Sequence, residues 1–172
     1  MVALATAVCT AVPVTVAAKA THIALDASTS CHLPGFRESL MRHLRAARAG
    51  SQRCGREAMP PAPPLAWNDA LFSAAALHSA DMARRNYFDH VSPEGARAGQ
   101  RVSAAGYPWR GVAENIAGGE KSVDGVMAGW MRSAGHCSNI MEPRFTDVAV
   151  ACVERPGSRW GTYWTMVLGR NR

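Results

Sequence analysis

Two stretches near the C-terminus constrain the fold more than anything else in the chain. Asp147 to Glu154 (DVAVACVE) alternates as a β-strand does, Arg155-Pro156-Gly157-Ser158 reads as a turn, and Thr162 to Leu168 (TYWTMVL) returns. That is an antiparallel hairpin. What precedes it reads as helices and loops, with no alternation of strand and helix that would build a parallel sheet. The order predicts an α+β fold and argues against a doubly wound one.

The helical segments are read from periodicity. Phe36, Leu40, Leu44 and Ala47 recur every three or four residues, and that helix should end near Gly50. Prolines 60, 61, 63 and 64 then forbid a helix and predict an extended surface tie. A second helix starts at Asn68 or Asp69, either of which can cap it, and ends at Arg84-Arg85-Asn86. Its inner stripe is Leu71, Ala74, Ala75, His78 and Met82, so His78 is read as a satisfied buried histidine. The loop from Tyr87 to Gly95 carries His90 at its apex, and a short helix covers Gln100 to Ala105. Gly111 to Gly119 is a compact segment, polar only at Glu114 and Asn115. A third helix begins near Val123, with Val126, Met127 and Trp130 on one face. It is predicted to run out through Ser133, Ala134 and Gly135 into a tight turn that presents His136, Cys137, Ser138 and Asn139.

A chain of 172 residues, 48% hydrophobic and 19% charged, suits one globular domain with a real core. The formal charge of +6 is almost all arginine, since Lys19 and Lys121 are the only lysines. Arg37, Arg42, Arg45, Arg48, Arg53 and Arg56 are read as a solvated face. No nucleic-acid-binding module accompanies them, so no nucleic-acid partner is expected.

Residues 1–20 are apolar and end in Ala18-Lys19-Ala20, the pattern of a cleaved signal peptide, although no basic residue precedes Lys19. The expected product begins at Thr21, is secreted or periplasmic, and keeps a loose lead-in over residues 21–35. No later stretch is apolar for long enough to span a membrane. Loss of the leader removes Cys9 and leaves Cys31, Cys54, Cys137 and Cys152, an even set suited to an oxidising compartment. Four cysteines allow three connectivities. Proximity along the chain favours Cys31–Cys54 around the first helix and Cys137–Cys152 beside the third. Either way Cys137 would be oxidised and unable to act as a nucleophile.

Chemistry is concentrated in His90, Glu114 and His136. Two imidazoles and a carboxylate are the ligand set of an open zinc site, and they suffice for acid–base work. They lie 24 and 22 positions apart, so spacing alone does not bring them together.

FDHVSPEG (Phe88 to Gly95), AENI (Ala113 to Ile116), GWMRSAGHCSNIM (Gly129 to Met141) and YWTMVL (Tyr163 to Leu168) occur in the order found in bacterial CAP-domain proteins. The chain resembles that superfamily of cysteine-rich secretory, antigen 5 and pathogenesis-related proteins from about Phe36 to Arg170. The resemblance implies a single domain, a three-layer α-β-α sandwich around a central antiparallel sheet. It implies a cleft where the family's two histidines and first glutamate fall on His90, His136 and Glu114, with Asn115 beside them. Two departures stand out. Ala113 replaces a usual glycine, and Ser133 occupies the place of a second glutamate found in animal members. The site is therefore expected to hold zinc or another divalent metal more weakly than a full set. The expected function is that of a monomeric binding module for a small ligand, a lipid or a cell-envelope component. The alternative is a metal-assisted hydrolase with Glu114 as base. Of the five tryptophans, Trp130 and Trp164 are read as core, and Trp109 is placed at the cleft rim.

Overall fold

The structure is a computed structural model and describes residues 22–172. The expected leader and its cleavage site lie outside the described residues.

Helix α1 (Phe36–Ala49) buries Phe36, Leu40 and Leu44, the stripe its periodicity announced. A short hairpin, β1 (Gln52–Cys54) and β2 (Glu57–Met59), turns at Gly55. Gly55 has φ +64, and a Cβ there would stand 2.7 Å from the Ala134 side chain. Both the backbone and the close approach therefore require glycine. The proline run forms no helix, as predicted, and leads into β3 (Ala66–Trp67).

Helix α2 (Asp69–Arg85) is capped by the Asn68 side chain, which accepts from the amides of Ala70 and Leu71. It ends at Asn86 in the left-handed conformation. Helix α3 (Ala98–Ala104), β4 (Trp109–Gly118), α4 (Val123–Arg132), α5 (Ala134–Met141), β5 (Asp147–Glu154) and β6 (Thr162–Asn171) complete the chain.

Four strands form one sheet in the order β3-β5-β6-β4. It is antiparallel except for β3, which pairs with β5 in parallel over two residues. Strand alternation sorts its two faces. Val148, Val150 and Cys152 of β5 and Trp164, Met166 and Leu168 of β6 pack with α1, α4 and α5. Ala149, Ala151 and Val167 face α2 and α3. The small side chains on both β5 and α2 (Ala74, Ala75, Ala76) let that helix lie close against the sheet. The result is the expected three-layer sandwich, with Trp130 and Trp164 in its core.

Five expectations need correction. Gly111 to Gly118 belongs to an edge strand, β4, and is not a separate compact segment. The stretch after α4 is not a tight turn: the chain breaks at Ser133, in an extended conformation, and resumes as α5. The lead-in is not loose. Asp26 caps a single 3-10 turn, Ala27–Thr29, the Ile23 amide donates to Ser73 Oγ at 3.0 Å, and Ser30 bridges to Cys152. The cysteines pair as Cys31–Cys152 and Cys54–Cys137, across the fold and not between chain neighbours. The lead-in lies along β5 and brings Cys31 to Cys152, while the β1–β2 hairpin docks Cys54 against α5.

Last, Arg48 is no member of a solvated face. It is 1% exposed, and its guanidinium donates to the carbonyls of Pro63 (2.6 Å), Ile140 (2.6 Å), Glu142 (3.0 Å) and Phe145 (3.3 Å). It joins the end of α1 to the proline run and the exit of α5.

Candidate functional site

Adjacent residues of a strand point to opposite faces, and in β4 this divides Glu114 from Asn115. Glu114 lies opposite Val167, on the α2–α3 face; Asn115 lies opposite Met166, on the α4–α5 face. Because β4 is the sheet edge, both helical layers approach one another around it. The site is assembled there.

The Glu114 side chain is 4% exposed, and both of its oxygens are engaged. His90 Nδ1 donates to Oε1 at 3.0 Å, and Arg101 Nη2 donates to Oε2 at 2.7 Å. An ionised carboxylate only accepts, so Nδ1 of His90 carries the hydrogen and Nε2 is the free ring nitrogen. Buried His78 stands behind, its Nε2 3.8 Å from Glu114 Oε1 and donating instead to the Asp89 carbonyl at 3.0 Å. Its Nδ1 has no partner among the described residues. Arg101 also donates to the carbonyls of Ala96 (2.6 Å) and His90 (3.0 Å), which pins the His90 loop over the strand.

These contacts set the charges. Burial works to raise the Glu114 carboxyl, but the His90 hydrogen bond and the charges of His78 and Arg101 outweigh it and hold it below its usual range. The same hydrogen bond raises His90, against a smaller opposing effect of burial. His78 is lowered chiefly by burial. His136 is lowered by burial and by the positive charge of His90.

His136 enters from the other layer as the third residue of α5. Buried Asn115 fixes it through the backbone: its Nδ2 donates to the His136 carbonyl at 3.1 Å, and its Oδ1 accepts from Asn139 Nδ2 at 2.8 Å. The next residue, Cys137, is clamped to Cys54. Ser133 is half-buried at the α4–α5 junction, and its side chain makes no capping hydrogen bond to α5.

The structure thus joins His90 to Glu114 directly and sets His136 within electrostatic reach of His90. It does not gather a metal set: among the described residues no three His, Cys, Asp or Glu side chains group so as to hold an ion. Glu114 accepts a hydrogen bond at each oxygen, and the Arg101 guanidinium against one of them competes with any cation for its charge. The three-ligand expectation does not fit the side chains as they stand.

A cleft of about 320 Å³ opens beside the pair, lined by His90, Val91, Arg97, Ala98 and Glu114. Trp109 is not on that rim. Its ring lies over Gly99, with Nε1 donating to Ser103 Oγ at 2.9 Å, and it lines a separate hollow with Tyr107 and Arg172. Sequence reasoning missed Arg101 altogether and gave His78 no part beside Glu114. Nothing local marks Arg101 as different from the other arginines. A buried histidine on an otherwise apolar helix stripe was the one available signal for His78.

The profile of the cysteine-rich secretory protein family (CAP) matches residues 36–168. The uncharacterized protein YkwD of Bacillus subtilis (strain 168) is 39% identical over 97 residues, which are 56% of this chain and 37% of that protein. The chain therefore spans little more than a third of that relative. Among solved structures, an extracellular protein containing a SCP domain from Bacillus anthracis superimposes with a TM-score of 0.62 at 24% identity, over 83% of this chain and 44% of that one. An outer surface protein from Borrelia burgdorferi gives 0.66 at 13% identity, over 88% and 100%. At these identities the structural likeness speaks for the fold alone.

Proposed function

The chain belongs to the cysteine-rich secretory protein family, and from that premise we propose that it is an exported binding module whose recognition site is the cleft at His90 and Glu114. The observation that carries this reading is the state of Glu114. A general base needs a lone pair within reach of the proton it takes and a pKa near the working pH. Glu114 is buried, bonded at both oxygens and held below the ordinary carboxylate range. It serves better to orient His90 than to abstract a proton. What faces a ligand in the cleft is the His90 ring and Arg97; His136, in the other layer, lies within electrostatic reach of His90.

Export is supported by the two disulfides, which suit an oxidising compartment. Among the described residues no helix is long and apolar enough to cross a membrane. The ligand class is a small molecule, a lipid or a component of the cell envelope.

The test uses the disulfide-intact protein. Sedimentation with purified cell-wall material and with lipid vesicles should show binding that His90→Ala and His136→Ala weaken. Incubation with peptide and cell-wall substrates should show no product that Glu114→Gln removes. Cleavage that disappears in Glu114→Gln would instead establish a hydrolase.

A further inference from the structure

We infer that the cleft beside His90 receives an oxyanion, the carboxylate or phosphate group of its ligand, held between the His90 ring and Arg97. This rests on the binding reading above and names the chemistry of what is bound.

The lining is the first ground. His90, Val91, Arg97, Ala98 and Glu114 surround about 320 Å³, a space of ligand-binding size but at the small end of that range. A charged group with a few attached atoms fits it.

The charge balance is the second. Glu114 is the only acid in the lining, and Arg101 already neutralises it at 2.7 Å. Asp89, next to His90 in the chain, turns its Oδ1 to the Val91 amide at 2.8 Å and is not part of the lining. Arg97 is exposed and has no ion pair among the described residues. It is the residue just before α3, in an extended conformation, and lines the cleft together with Ala98. Arg101 lies behind Glu114, outside the lining, with both terminal nitrogens bonded to Glu114 and two carbonyls. Arg97 stands at the rim with its fork unspent. A cation entering here would meet the Arg97 guanidinium and a carboxylate already paired with Arg101.

The third ground is the direction of His90. Its Nδ1–H is committed to Glu114, which leaves Nε2 as the free edge of a ring whose side chain is 53% exposed. The groups that bear on this ring are Glu114 and Asp89, which favour its charged form, and Arg101, which opposes it. Its positive charge also lowers His136. Protonated His90 and Arg97 together offer charge-assisted donors from two sides, the arrangement that suits a carboxylate or phosphate.

The experiment follows the ring resonances of His90 and His136 by NMR at about pH 6.5, in the disulfide-intact protein at constant ionic strength. Inorganic phosphate and acetate are titrated separately against a chloride control, which distinguishes a phosphate from a carboxylate preference. At least one should shift His90 saturably, and His136 with it, because a bound anion relieves the repulsion between the two rings. Arg97→Gln should weaken that binding by about tenfold, the loss of one charge-assisted contact, with the thermal midpoint unchanged. Two results overturn the inference: no saturable shift with either anion, or a shift that Arg97→Gln leaves intact. A parallel Zn²⁺ titration separates the failures. If Zn²⁺ moves both histidines and the anions move neither, the cleft binds but the oxyanion assignment falls. If neither anions, Zn²⁺ nor envelope material bind, the binding reading falls with it.

Discussion

Arg101 Nη2 lies 2.7 Å from Glu114 Oε2, so the one carboxylate on the cleft floor is neutralised from within the protein. The same guanidinium holds the carbonyls of His90 and Ala96. One side chain therefore fixes α3, β4 and the loop between α2 and α3 relative to each other. His90 is presented by that arrangement, not by the local conformation of its own loop.

The histidines should titrate apart. In NMR titrations His90 is expected above 6.5 and His78 and His136 below it. Glu114→Gln should bring His90 down, since its hydrogen bond to Glu114 is the largest cause of the rise. The linkage has opposite signs. His90, raised in the folded state, stabilises fully below its unfolded value of about 6.5, and that stability is lost as pH rises through the folded value. His78 and His136, lowered on folding, weaken the fold as pH falls below about 6.5. A His90 midpoint below His136 would contradict the geometry.

Asn115 should matter to one half of the site and not the other. Asn115→Leu removes the donor to the His136 carbonyl and the acceptor for Asn139. The expected cost is about 2–3 kcal/mol, from polar groups left unpaired in the core. His136 resonances should move while the His90 midpoint stays put, because Glu114 faces the opposite layer. Equal disturbance of both histidines would show that the two layers are not separately anchored.

Non-reducing peptide mapping should recover Cys31–Cys152 and Cys54–Cys137. The sequence separations are 121 and 83. Chain-entropy arithmetic then gives each bridge about 4–5 kcal/mol, more than bridges between chain neighbours would contribute. The double substitution Cys31→Ser with Cys152→Ser should lower the urea midpoint accordingly. A Cys31–Cys54 linkage in the native protein would overturn the observed topology.

Arg48→Met should be among the most damaging single changes. It leaves four carbonyls without their donor, those of Ile140 and Phe145 in buried positions and those of Pro63 and Glu142 partly buried. A loss of about 3–5 kcal/mol is expected in equilibrium unfolding. Arg48→Lys should recover part of it, because one ammonium cannot reach all four acceptors. A loss below about 1 kcal/mol, the range of an exposed side chain, would return Arg48 to the surface role its neighbours have.

Local pattern was enough for the elements whose burial repeats along the chain. The stripe Phe36, Leu40, Leu44 placed α1, Asn68 placed the start of α2, and DVAVACVE with TYWTMVL placed the central hairpin. The four motifs placed the family, and with it His90, Glu114 and His136 as the residues of interest. Other features depended on contacts distant in sequence. Strand β4 is an edge and mostly half-buried, so it carries little periodicity of its own; pairing with β6 makes it a strand. Helix α5 follows a break of one residue at Ser133, and Gly135 lies inside it, where sequence alone favours a stop. Nothing in the chemistry of a cysteine names its partner, and nothing in an arginine says whether it meets water or four carbonyls. Cys31, Cys54, Arg48 and Arg101 each acquired a role only when the layers closed, because each contact's partner is contributed by another segment of the chain.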